Sequence, residues 1–142
     1  SRYRQTLAIP EYDLYGNPRY VRSRTAPRIT YYYWGYNGLH PVAEIKNADP
    51  SVASSVAIDH AADTLSSEDM AVLNGLRSDS RFRNAEITTY TYEPLIGMVS
   101  ATDPQGLTTH YDYDDQGRLR EVYFMKNGTK RTLKYYDYNY KK

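Results

Sequence analysis

Gly106, Gly117 and Gly128 stand eleven residues apart, in the contexts DPQG, DDQG and KNG. That spacing constrains the fold more than any other feature of the chain. A turn at each glycine leaves roughly 6 to 8 residues between turns, the length of an ordinary strand and too short for a typical helix plus its connections. Asn127-Gly128 adds a stronger signal, because both residues tolerate the positive φ angles of a type I′ hairpin. The expected product is an antiparallel meander.

The runs between the turns alternate as strands do. In LTTHYDY, Leu107, Thr109, Tyr111 and Tyr113 share one face, and Thr108, His110 and Asp112 share the other. From 118 to 124, Leu119, Glu121 and Tyr123 alternate with Arg118, Arg120, Val122 and Phe124, so apolar weight falls on both faces. Tyr136, Tyr138 and Tyr140 again share a face. The chain has 17 Tyr against 2 Phe and 1 Trp, and no Tyr lies between Tyr36 and Tyr90. Tyrosine in place of phenylalanine suits rings that cover a sheet while their hydroxyls reach water or a backbone group.

The middle of the chain has a different period. Asp49-Pro50 reads as an N-cap followed by proline in the first helical turn. Val52, Val56, Ile58, Ala61, Ala62 and Leu65 recur at helical spacing, and Ser66-Ser67-Glu68-Asp69 opens a second helix whose apolar face is Met70, Leu73 and Leu76. Residues 78–84 read as a polar connector. The expectation is one mainly β domain over 1–142, an open, twisted antiparallel meander with a two-helix insertion at about 49–80 packed on one face.

Internal repeats support this reading. YDYDDQGRL at 111–119 has a relative in YDLYGNP at 12–18, with Asp13 matching Asp114 and Gly16 matching Gly117; a degenerate copy is YWGYNG at 33–38, and another opens at Tyr136-Asp137-Tyr138. Tyr111, Tyr113, Asp114, Gly117, Arg118 and Leu119 fill a motif that resembles the repeat unit of the YD-repeat, or RHS-repeat, family. Asp103, Gly106 and Thr109 fill the turn that precedes it. Asn17-Pro18 stands where Arg-Leu is usual, and Met125-Lys126-Asn127-Gly128 lacks the aspartate. The resemblance implies repeated antiparallel hairpins. In complete family members many units wind into a hollow β-shell, which encloses a C-terminal toxin in some bacterial members and forms a barrel in the teneurins. A few units cannot close such a shell, so the expected form is an open sheet whose edges invite pairing.

The residues argue against several chemistries. Without cysteine there is no disulfide scaffold, thiolate zinc site or thiol nucleophile. Asp112-x-Asp114-x-Gln116-Gly117 matches the opening of an EF-hand loop, but Tyr123 stands where a bidentate Glu is required. His40, His60 and His110 lie on separate elements, and no Gly-x-Ser-x-Gly accompanies them. The 18 Lys+Arg against 17 Asp+Glu leave a net charge of +1, so no polybasic theme points to nucleic acid. Arg2, Arg4, Arg19, Arg22, Arg24 and Arg28 are better read as charges on strand edges. No apolar stretch is long enough to span a bilayer. No catalytic, metal or cofactor residue is expected.

The start SRYRQTLAIP, with neither Met nor an apolar leader, reads as a piece of a longer protein. The expected function is a non-catalytic structural or adhesive segment of an exported or cell-surface bacterial repeat protein. Its expected partners are the rest of its own chain and, through sheet edges, a second copy. The alternatives are a carbohydrate-binding module using the tyrosine faces and part of a toxin-enclosing shell. Asp114, Gly117 and Arg118 are expected to build the turn, with Arg118 bridging to an Asp or lying over a Tyr. Tyr136, Tyr138 and Tyr140 are the candidate ligand or self-association face.

Overall fold

A computed structural model describes residues 7–23, 28–59 and 61–138. The chain divides into two compact units, Ser1–Thr89 and Tyr90–Lys142. The first holds β1 (Leu7–Tyr12), β2 (Pro18–Ser23), β3 (Ile29–Gly35), β4 (His40–Lys46), α1 (Pro50–Ala53) and α2 (Ser67–Gly75), and the boundary falls within β5 (Glu86–Glu93). The second holds β6 (Gly97–Thr102), β7 (Thr108–Tyr113), β8 (Leu119–Lys126) and β9 (Thr129–Tyr135). In each unit successive strands pair antiparallel with their chain neighbours. The chain is therefore mainly β and open, as the glycine spacing implies.

The first unit has a packed core. Register places Tyr31 opposite Ile45 and Ile45 opposite Ile87; the next rank is Tyr33, Ala43 and Thr89. All six side chains are buried on one sheet face. The insertion covers that face through Ala53, Ile58, Leu73, Leu76 and Phe82, all buried. Two polar groups that go under the insertion find partners. The Tyr33 hydroxyl donates to the Ala53 carbonyl at 2.7 Å, and the Arg77 guanidinium donates to Thr89 Oγ1 at 2.9 Å. Each buried Leu or Ile contributes about 1.5–3 kcal/mol of transfer free energy.

Both helix starts form as read. Asp49 accepts from the Ser51 amide with Pro50 in the first turn, and Ser66 Oγ accepts from the Asp69 amide at 3.0 Å. Leu73 and Leu76 face the core, Met70 is half-buried and Val72 is exposed. The first helix is much shorter than the apolar spacing suggested. It stops after Ala53, and 54–59 and 61–65 are irregular. Ser54 and Ser55 hydroxyls donate back to the carbonyls of Ser51 and Val52 at 3.2 and 2.6 Å, and Asp59 Oδ1 accepts from the Ala61 amide. Such local bonds offer the backbone an alternative to a helix. Ile58 reaches the core without one. The connector at 78–84 is also more than polar linkage, since Ser80–Phe82 form a 3-10 turn that buries Phe82.

Candidate functional site

Three turns of the chain are built on one plan. In Asp13–Asn17, Asp103–Leu107 and Asp114–Arg118, the first residue's amide donates to the fifth residue's carbonyl at 2.8, 3.0 and 2.8 Å. The fourth residue, always glycine, donates to the aspartate carbonyl at 3.1, 2.9 and 2.9 Å. The aspartate Oδ1 then accepts from the amides of the third and fifth residues, at 2.9–3.0 Å in every case. Gly16, Gly106 and Gly117 have φ of +83°, +89° and +78°, a region glycine enters without steric cost. One aspartate thus organises five residues of backbone. Asp115, beside Asp114, is exposed in the turn.

At Asp114 the plan is elaborated with side chains. Arg118 Nε donates to Asp114 Oδ2 at 2.9 Å, and its guanidinium lies 4.2 Å from the centre of the Tyr138 ring. The bridging to an Asp and the stacking on a Tyr, expected as alternatives, occur together. Tyr138 donates its hydroxyl to the Leu119 carbonyl at 2.7 Å and stacks on Tyr136, with centroids 6.4 Å apart and planes inclined by 14°. Lys134 Nζ is 5.9 Å from the Tyr136 ring centre. The resulting column runs Arg118, Tyr138, Tyr136, Lys134. Tyr136 and Tyr138 lie just past the end of β9, tied by the Tyr136 amide to the Arg120 carbonyl at 2.8 Å. Tyr140 lies outside the described residues, as do His60, Arg2, Arg4 and Arg24. The amide of Arg118, followed by its side chain, holds the Asp114 carboxyl below its ordinary value.

Of the motif tyrosines, Tyr113 donates its hydroxyl to the Met98 carbonyl at 2.7 Å. The ring comes so close that a Cβ on Gly97 would sit 3.1 Å from the hydroxyl. Tyr111 lies opposite Val122, and Leu119 opposite Tyr113 beyond a bulge. On the other face of β7, His110 stacks on Tyr123 at 5.0 Å, and Asp112 is ion-paired with Arg120. The sequence reading missed Glu121. It is buried, accepts from Thr132 Oγ1 at 2.5 Å and Lys130 Nζ at 3.0 Å, and is lowered in pKa by those two bonds in that order. Its partners come from β9, so alternation within β8 alone could not reveal it.

Among the described residues, no three His, Cys, Asp or Glu groups are placed to hold a metal ion, and no helix is long and apolar enough to cross a membrane. The exposed Arg19, Arg22 and Arg28 are scattered along the first unit. The RHS Repeat family model matches residues 97–123, the span from Gly97 through the Asp103 and Asp114 turns to Tyr123. No curated protein and no solved structure matches the chain.

Proposed function

The chain is an RHS-repeat protein, and on that premise we propose that it is a structural repeat segment of an exported or cell-surface bacterial protein, with no catalytic role. The observation that carries the reading is the way the repeat's charged and aromatic groups engage one another. Arg118 is held by Asp114 and Tyr138, Arg120 by Asp112, and Lys130 by Glu121. Groups that act on a ligand are usually held ready for it; these close hairpins. The Tyr138 ring has Arg118 and Tyr136 as neighbours, which favours stapling over a flat platform for sugars.

Alanine substitution at Tyr136 and Tyr138 provides the test. A scaffold role predicts a melting temperature lowered by a few degrees and no glycan retained specifically by the parent chain on an array. Specific glycan binding that disappears in both variants would contradict the scaffold role and favour a carbohydrate-binding module. Protease shaving of intact source cells tests the location, which the proposal predicts to be accessible from outside.

A further inference from the structure

Three Asn-Gly pairs occur in the chain, at 37–38, 74–75 and 127–128. Such a pair loses the asparagine amide without an enzyme. The backbone nitrogen of the glycine gives up its proton to base and attacks the side-chain carbonyl carbon; a C–N bond forms and ammonia leaves. Water then opens the resulting succinimide at either carbonyl, giving aspartate or isoaspartate. Glycine favours the attack because it has no side chain to crowd its nitrogen or restrict its backbone. The step needs a mobile carboxamide and a glycine amide that is not already engaged, and the three pairs differ in both.

Asn37 is held on both sides. Its Nδ2 donates to Asp63 Oδ1 at 2.7 Å, its amide donates to the Ala62 carbonyl at 3.0 Å, and Gly38 is buried against the Tyr15 ring. Asn74 lies in the last turn of α2, with its Oδ1 accepting from Arg77 Nη1 at 3.3 Å. The helix must unwind before the Gly75 nitrogen can reach that carboxamide. Asn127 and Gly128 form the two-residue loop between β8 and β9, with φ of +52° and +78°. Both are exposed, and among the described residues neither the Asn127 carboxamide nor the Gly128 amide has a hydrogen-bond partner. The attack swings the peptide plane between them, so it proceeds from an opened turn, and β9, exposed at every position, is a strand that opens readily. We propose that Asn127 is a site of spontaneous conversion to aspartate and isoaspartate, and that the isoaspartate loosens β9 from β8. Isoaspartate routes the main chain through the side chain and lengthens the loop by one carbon. A two-residue type I′ loop sets the register of its strands, so the longer loop does not fit the pairing that runs from Lys126 opposite Thr129 to Glu121 opposite Tyr135. Glu121 is then parted from Lys130 and Thr132, both on β9. The hairpin thereby carries a slow, one-way mark of age.

The test holds the full chain at neutral and at alkaline pH, in buffer and separately in denaturant. All three pairs are followed in one digest by mass spectrometry, with electron-transfer fragmentation to tell isoaspartate from aspartate. In buffer Asn127 should lose its amide at least about tenfold faster than Asn37 or Asn74, because its turn opens more easily than their surroundings. Its rate should rise with hydroxide. In denaturant the three should react within about threefold of one another, since the chemistry is the same and the fold no longer discriminates. The isoaspartate form, separated by ion exchange, should show faster hydrogen exchange in β9 and the adjoining end of β8, with β3 and β4 unchanged. Asn127→Gly keeps a loop that accepts positive φ and has no carboxamide. Its β9 protection should not change over the same period, which separates the modification from other ageing of the chain. Asn127 reacting no faster than the other two in buffer, or leading by the same margin in denaturant, would overturn the assignment of the site. Full β9 protection in the isoaspartate form, or an equal loss in aged Asn127→Gly, would overturn its effect on the hairpin.

Discussion

The two units use the same turn and are held together by different means. In the first, strands β3 to β5 press one apolar face against the insertion, and Val42, Ala43, Ile45 and Ala53 have no exposed surface. In the second, Glu121 alone is buried among the described residues from 97 to 138, and β9 is exposed at every position. What holds those hairpins is local and polar: aspartate turns, stacked rings, and ion pairs near the surface. Core packing contributes a few kcal/mol per large side chain, whereas exposed ion pairs contribute about 0–1 kcal/mol each. The family's repeat motif therefore specifies hairpin shape well and supplies little independent stability, and a solenoid of such units draws its stability from neighbouring repeats.

Leu73→Asp should separate the units most clearly. Leu73 is 1% exposed under the insertion, and an unpaired charge there is expected to cost about 3–5 kcal/mol. Chemical denaturation followed by NMR should show the β3 and β4 signals lost first, while the hairpin from β8 to β9 changes little. Unaltered stability would mean that α2 does not pack as described.

A single substitution at two glycines sharpens the comparison further. Gly38 has φ +74°, and a Cβ there would lie 2.5 Å from the Tyr15 ring; Gly117 has φ +78° with nothing within 4 Å. Gly117→Ala should cost about 1 kcal/mol, from backbone conformation alone. Gly38→Ala adds an overpacking cost, for about 2–3 kcal/mol in all. Equal costs in thermal denaturation would show that Tyr15 moves aside freely.

These contrasts also mark what the sequence made legible. The aspartate turn is a five-residue device, so D-x-x-G announces it without help from the rest of the chain. The caps at Asp49 and Ser66 are equally local. The apolar spacing from Val52 to Leu65 misled because helical periodicity counts residues, whereas the serine and aspartate bonds that end α1 are made by polar side chains between them. Glu121 was invisible because its donors, Lys130 and Thr132, lie in the following strand. Asn17, which stands where the Asp114 turn has Arg118, donates to the carbonyl of Gly38, in a turn 21 residues away, and no alignment of motif copies would show that Asp13 Oδ2 lacks the donor that Asp114 has.

Titration should separate the buried tyrosines of β3 from the hydrogen-bonded carboxylates of the hairpins. Burial, the largest cause in each case, raises the pKa of Tyr31, Tyr32 and Tyr33 above 10.0. Their contribution is complete below that value and is lost as pH rises above it, because the unfolded chain ionises first. Asp114 and Glu121 are lowered from 3.8 and 4.5. Their contribution is complete above those values and is lost as pH falls through the lower folded pKa values. Equilibrium unfolding across pH should show alkali acting on β3, and acid acting on β7 to β9 and on the turns at Asp49 and Asp79, whose carboxyls are lowered by their bonds to Ser51 and Arg81. Tyr33→Phe should reduce the first effect and Asp114→Asn the second, each by less than the substitutions above.

Native-state hydrogen exchange at low and high salt tests the central contrast most directly, since it reads the stability of each hydrogen-bonded strand separately. The account predicts that amides of Tyr33, Ala43, Ile45 and Ile87 exchange slowest and are insensitive to salt. Amides of β8 and β9 should exchange through easier openings that salt accelerates. Protection in β8 and β9 equal to that of β3 and β4, unchanged by salt, would contradict it.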